Sequence, residues 1–125
     1  MVFHGVTEFT FVAAKNANGQ EAHTVFDREK NLVKVKHFPE LNLQVDVSMA
    51  TRISPSVYGR IIETCDKAGA GFDHQRVDVF VDLTTGHVAL GEVTTGPWGG
   101  VVTWDPDSFH DVLTKLWGCD EEDFP

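Results

Sequence analysis

Residues 73–94 read Asp73-His-Gln-Arg-Val-Asp-Val-Phe-Val-Asp-Leu-Thr-Thr-Gly-His-Val-Ala-Leu-Gly-Glu-Val-Thr94, and we expect the rest of the chain to be arranged around them. One side of the first half carries Val77, Val79, Val81 and Leu83, and the other side carries Arg76, Asp78, Phe80 and Asp82. This period of two predicts a β-strand. Residues 84–86 end in glycine, which readily adopts positive φ, and they predict a tight turn into a second strand.

The length of this turn determines which side chains of the two strands meet. If Leu83 pairs with His87, Asp78 lies directly opposite Glu92, with their Cβ atoms about 4.5–5.5 Å apart. Two like charges at that distance destabilise the pair, unless a raised pKa, a nearby cation such as Arg76 or a bound divalent metal offsets the repulsion. A solvated sheet face with an ordinary Arg–Asp ion pair is the alternative interpretation. A two-residue turn would place the two acids on opposite faces.

A glycine-rich segment, Gly96-Pro97-Trp98-Gly99-Gly100, follows the second strand. Its backbone N–H groups can approach an anion closely. The order Arg76-Val77-Asp78, then Gly91-Glu92-Val93-Thr94, then this segment resembles the C-terminal part of the ATP-grasp fold. It is most similar to the TupA-like ATP-grasp proteins of cell-surface polysaccharide synthesis.

The resemblance assigns a role to each polar residue of the two strands. It implies that Asp78 and Glu92 bind Mg²⁺ or Mn²⁺, for which carboxylate oxygens are suitable hard ligands. Thr94 stands at a third ligand position and contributes to cofactor binding. Arg76 would be catalytic and would contact the ATP phosphates during their transfer. The implied reaction is carboxylate–amine ligation driven by ATP.

The resemblance also implies that the glycine-rich segment binds the carboxylate or acyl phosphate of the substrate through the amides of Gly96, Gly99 and Gly100. It extends with fair specificity over residues 54–117 and only weakly over residues 7–38. In the weaker part, Thr10 of Glu8-Phe9-Thr10-Phe11 stands where the family has lysine. If that lysine contacts phosphate, this chain lacks the contact.

A complete ATP-grasp enzyme holds its nucleotide between two α+β subdomains, and this chain resembles the C-terminal one alone. We therefore expect either a partner that supplies the N-terminal half or a homo-oligomer. The alternative function is a non-catalytic binding module that kept the fold and lost the reaction.

The remaining patterns predict an α+β fold with a mostly antiparallel sheet and two main helices on one face. We expect a three-stranded meander formed by residues 7–14, 21–27 and 32–38. Alternation over residues 41–49 predicts a further strand, either inside the sheet or at an exposed edge used for self-association. Ser54-Pro55 and Asp105-Pro106 predict the starts of the two helices, and Gly69 and Gly118 their ends. The first helix is expected to cover the Val77 side of the sheet.

The 125 residues predict a single domain over 1–118 and an acidic, disordered tail over 119–125. The net charge of −9 argues against nucleic acid or an anionic membrane as a partner. The N-terminal residues have neither a basic region nor a long apolar run, so we expect no signal peptide and no membrane span. Cys65 and Cys119 lack metal-site spacing. Free thiols, which favour the cytoplasm, are the simpler interpretation, and a single disulfide is the alternative.

Overall fold

The computed structural model describes residues 1–15, 17–41, 44–96 and 102–118. The strands are β1 (Val2–Phe3), β2 (Val6–Thr7), β3 (Phe9–Lys15), β4 (Glu21–Asp27), β5 (Lys36–His37), β6 (Gln44–Val45), β7 (His74–Asp82), β8 (His87–Thr94) and β9 (Trp104–Asp105). The helices are α1 (Met49–Arg52), α2 (Pro55–Gly69) and α3 (Phe109–Trp117), and residues Pro39–Leu41 form a 3₁₀ turn.

Within the described ranges these strands pair into three sheets. The largest has the order β2-β1-β7-β8, the second has the order β3-β4-β6, and the third is the pair β5-β9. The pairings are antiparallel except for that of β4 with β6. The predicted α+β class, with mostly antiparallel sheet, is confirmed.

Helix α2 forms as the sequence predicts. The Ser54 hydroxyl accepts a hydrogen bond from the backbone N–H of Val57 at 3.3 Å, and Pro55 occupies the first turn. The buried side of the helix packs in the core together with Val2, Phe26 and Val77. That side consists of Val57, Tyr58, Ile61 and Cys65.

The last turn of α2 is tied to both larger sheets through the carboxylate of Asp66. It accepts hydrogen bonds from the backbone N–H and the hydroxyl of Thr7, at 2.7 and 2.6 Å. It also accepts two from the guanidinium of Arg28, at 3.1 and 2.8 Å. Burial alone would raise the pKa of Asp66, but the hydrogen bonds from Arg28 and Thr7 outweigh it and lower that pKa.

The predicted strand over residues 32–38 is wrong for most of its length. Leu32 forms a single bridge with Phe26, and the regular part is confined to β5, which pairs with β9 and not with β4. Residues 22 and 23 of β4 pair with β6 on that edge instead. Alternation indicates that one side of a segment is buried, but it does not identify the strand that pairs with it.

The continuous strand predicted over residues 41–49 is also wrong. Among the described residues of this range, only Gln44–Val45 form a strand, because the Asp46 carboxylate accepts hydrogen bonds from the backbone N–H and hydroxyl of Ser48 and turns the chain. Helix α1 then begins at Met49, which is buried in the core. Residues 42 and 43 lie outside the described part.

The C-terminal helix begins later than predicted. Asp105 belongs to β9 and does not cap the helix, and α3 starts at Phe109 after Ser108. Its end is as predicted, since Gly118 adopts φ of 79° and its N–H reaches the carbonyl groups of Lys115 and Thr114. The predicted tail, residues 119–125, lies outside the described part. Among the helices described, none is long and apolar enough to cross a membrane.

Candidate functional site

The β7–β8 hairpin brings the predicted pairs together, but not in the predicted way. Asp82, and not Leu83, pairs with His87, so the loop is longer than expected. Continued without interruption, that register would place Asp78 opposite Gly91. An irregularity between Asp78 and Val79 shifts the pairing by one residue, so Asp78 pairs with Glu92. A β-bulge of this kind accommodates one extra residue in one strand.

Glycine occupies the extra position of the bulge for a steric reason. A Cβ atom on Gly91 would lie 2.8 Å from Cε2 of Phe80 and 3.1 Å from the carbonyl oxygen of Asp78. Both distances are shorter than ordinary carbon contacts, and the second involves backbone that cannot swing away. Gly91 therefore permits the register that places the two acids opposite each other.

The two faces of the hairpin are used differently. The inner face, with Val77, Val79, Val81 and Val88, packs in the core beneath α2, as predicted. The outer face carries Arg76, Asp78, Glu92 and Thr94, with Arg76 paired with Thr94. The side chains of Arg76, Asp78 and Glu92 are 25%, 41% and 69% exposed, so solvent reaches all three.

Arg76 lies beside both acids. Its guanidinium makes a two-point contact with Asp78, from Nε to Oδ1 at 2.9 Å and from Nη2 to Oδ2 at 3.0 Å. The same Nη2 is 3.5 Å from the hydroxyl of Thr94 and 4.0 Å from Oε2 of Glu92. The arginine thus offsets the repulsion between the carboxylates. An ordinary ion pair alone also accounts for this geometry.

The donor set of this face suits a divalent cation that completes its shell elsewhere. No cluster of three or more His, Cys, Asp or Glu in the described residues could hold a metal by itself. Mg²⁺ commonly takes one or two carboxylates and fills its remaining positions with water and substrate phosphates. Asp78 keeps acceptor capacity while it binds Arg76, since a carboxylate offers about four lone-pair positions. Asp78 and Glu92 therefore fit Mg²⁺ or Mn²⁺ in the presence of phosphate.

The predicted anion-binding segment is described only at its start. Gly96 follows β8, is exposed, and has open space where a Cβ would stand. Gly99 and Gly100 lie outside the described residues, as do Pro97 and Trp98.

Thr10, at the position where the resemblance to TupA-like proteins predicts lysine, is buried. Its hydroxyl is 2.9 Å from the hydroxyl of Tyr58, which donates to the carbonyl oxygen of Asp27 at 2.6 Å. Burial raises the pKa of Tyr58 to about 12, so the phenol stays protonated and keeps this role. A lysine at this position of this chain would bury its ammonium group under α2.

A group of rings that sequence reasoning missed joins the smaller sheets. Phe11 lies 5.5 Å from Trp104 between ring centroids and 5.7 Å from His37. His23 lies 4.9 Å from His37 on the other side. The alternation of Phe9 and Phe11 indicated an apolar face, but nothing in the sequence indicated that β5 and β9 would cover it.

In comparisons with known proteins, no protein-family model, curated protein or solved structure matches the chain.

Proposed function

We propose that the outer face of the β7–β8 hairpin is half of a binding site for a divalent cation and ATP in a cytoplasmic, ATP-grasp-like carboxylate–amine ligase. The observation that carries the proposal is the direct pairing of Asp78 with Glu92, with Arg76 and Thr94 as the next pair on that face. The order of these residues along the chain, which resembles the TupA-like family, adds support from the sequence.

Each side chain has a task that its position allows. Asp78 and Glu92 would hold Mg²⁺ or Mn²⁺, and the Thr94 hydroxyl would add an oxygen. Such a cation would neutralise charge on the phosphoryl oxygens. Arg76 would present its guanidinium to phosphate, because this planar group binds phosphate oxygens at two points. The amides of Gly96, Gly99 and Gly100 would bind the acidic group of the substrate.

The exposure of this face explains why we propose half a site. Glu92 is 69% exposed, so water would compete for any reactive group bound there. Ligases of this type must exclude water from the activated carboxylate. A partner chain resembling the N-terminal ATP-grasp half, or a second copy, would supply the cover and the remaining phosphate contacts.

Metal binding is the first step to test, by adding Mn²⁺ to ¹⁵N-labelled protein with and without ATP. The paramagnetic ion should broaden the amide signals of residues 76–78 and 92–94, and Mg²⁺ should reverse the effect by competition. Calorimetry with Mg²⁺-ATP measures the affinity. Glu92→Gln should abolish both responses, since it removes one of two ligands.

The matched control is Glu63→Gln, which neutralises an exposed acid that is paired with Lys67 on α2. This variant should bind as the wild type does. Broadening confined to other acidic parts of the chain, or an equal loss in both variants, would refute a metal site on the hairpin.

A second candidate function, protein binding without catalysis, is favoured by exposed apolar side chains. Phe80 is 73% exposed in the middle of the outer face, and Leu41 and Val47 are 62% and 64% exposed. The continuous 41–49 strand proposed for self-association does not form, but Leu41, Val45 and Val47 remain at the surface. Sedimentation analysis should show dimers that Val47→Lys disrupts. A monomer at every concentration would exclude self-association.

A further inference from the structure

Helix α3 is attached to the molecule mainly by ring contacts at its two ends. At its start, Phe109 lies 5.0 Å from both Phe9 and Trp104 between ring centroids. At its end, the ring of Trp117 lies 4.9 Å from that of His74. Most of the positions between them are exposed, including Val112 at 42%. The position of α3 therefore depends on these aromatic contacts and on a hydrogen bond of 3.2 Å between Nε2 of His4 and the carbonyl oxygen of Trp117.

His74 forms the contact at the end of the helix. Its ring lies between Phe3, at 4.6 Å, and Trp117, at 4.9 Å. Both ring nitrogens are buried, and neither has a hydrogen-bond partner within the described residues. A neutral imidazole packs there as one more ring. An imidazolium would place a positive charge among rings without an acceptor for its N–H groups.

The charged groups near His74 do not relieve that cost. Burial lowers the pKa of the Met1 amine on the β1 side to about 6, and where this amine is protonated it opposes a second positive charge on His74. Asp73 pairs at 3.8 Å with the neighbouring His4, and that aspartate is 85% exposed. Helix α3 contributes Trp117, an uncharged ring whose attraction for a cation is weaker than the hydration that is lost.

His37 has the corresponding position at the start of the helix. It pairs with Trp104 across β5 and β9, and Trp104 contacts Phe109 of α3. On its other side is His23 of β4, 4.9 Å away. Protonation of His37 would place a positive charge against the ring of His23, between the second and third sheets.

The other charged groups that the described residues place near His37 are exposed. Glu21 accepts a hydrogen bond from His23 at 2.8 Å, and its negative charge partly offsets the repulsion. Phe11 of β3 is apolar. His110 lies behind Trp104 at 6.5 Å. Lys36 and Asp105 form the next pair along β5 and β9.

We propose that β5, β9 and α3 form a pH-released strap that detaches from the two larger sheets when His37 and His74 are protonated. His74 contacts Trp117 at one end of the helix, and His37 contacts Trp104, which contacts Phe109 at the other end, so two protons act on one element. Detachment would expose Phe9, Phe11 and His74.

The direction of the pH dependence follows from the protonation of the two states. Burial lowers the pKa of His37, with a further decrease from His23, and burial also lowers the pKa of His74. In the detached state both return towards 6.5. The attached state therefore binds fewer protons, and its stability is full above pH 6.5 and falls as the pH decreases below that value.

Tryptic cleavage at Lys115 measures detachment, because Lys115 is the only Lys or Arg after Arg76 in the sequence. Rates are normalised at each pH to those of a free peptide substrate. Below pH 6.5 the normalised rate should rise by up to about tenfold per pH unit for each proton taken up. Cleavage at Arg60 in α2 should stay constant, since α2 remains packed.

The double variant His37→Phe/His74→Phe keeps rings at both positions and cannot take up the protons. Its cleavage at Lys115 should not depend on pH. The control His87→Phe replaces an exposed histidine of β8 and should behave as the wild type does. An unchanged pH profile in the double variant overturns the proposal.

A measurement on the wild type tests the proposal without relying on the folding of the variants. The C2–H signals of His37 and His74 should titrate together with the backbone signals of α3 in NMR spectra. Titration of both histidines while the α3 signals stay constant would equally overturn the proposal.

Discussion

The side chains of the two faces of the β7–β8 hairpin alternate along the same strands, yet the two faces are stabilised by different interactions. The inner face, with Val77, Val79 and Val81, is apolar and is packed under α2. The outer face is held by the contacts of Arg76 with Asp78 and its neighbours, and solvent reaches it. The inner face therefore determines whether the hairpin forms, whereas the outer face can be changed for function at little cost in stability.

The largest effect on the free energy of unfolding should come from a substitution that weakens the packing against the inner face. Ile61→Ala removes a buried side chain of α2 and should lower the free energy of unfolding by about 2–5 kcal/mol, through lost burial and the cavity left behind. Urea unfolding measures it. The neighbour Ile62 is only partly buried, so Ile62→Ala should cost clearly less. Equal losses would show that the inner packing is not what holds the hairpin.

An intermediate effect on stability is expected from a substitution at the bulge of the hairpin. Gly91→Ala should lower stability by about 1–3 kcal/mol, because its Cβ would crowd Phe80 and the backbone of Asp78. Thermal unfolding of Gly91→Ala and Gly96→Ala provides a matched pair, since a Cβ on Gly96 has open space. If the two variants were equally stable, the bulge would not depend on glycine.

The smallest effect on stability should come from the outer face. Glu92→Gln removes a repulsion with Asp78 and a 4.0 Å attraction to Arg76, so stability should change by less than about 0.5 kcal/mol. Chemical unfolding of this variant measures the change. A loss similar to that of Ile61→Ala would end the distinction between the two faces.

The sequence predicted those parts of the fold whose pattern is local. Helix α2 was predicted from Ser54 to Gly69, and the strands of the hairpin were predicted from their alternation. The pairing of Asp78 with Glu92 was predicted correctly from a loop length that was wrong, because the bulge at Gly91 compensated for the longer loop. Such compensation depends on the contact of Gly91 with Phe80, which a linear pattern does not contain.

The fold predictions failed where a strand pairs with a segment that is distant in sequence. Residues 32–38 alternate like a strand, but their regular part pairs with Trp104–Asp105, almost 70 positions later. The histidine contacts of α3 depend on the same distant pairing, since His37 and Trp104 meet only across β5 and β9. On the candidate site, the sequence placed Arg76, Asp78, Glu92 and Thr94 on one face. Their function remains a proposal.

The hydrogen bonds of Asp66 have a mechanical consequence. A single carboxylate on α2 connects Thr7, from the sheet that contains the hairpin, with Arg28, directly after the second sheet. Under a pulling force that separates those sheets, the hydrogen bonds of Asp66 with Thr7 and Arg28 would be among the first contacts to carry the force. Asp66→Asn should therefore weaken resistance to stretching more than a substitution on either sheet surface would.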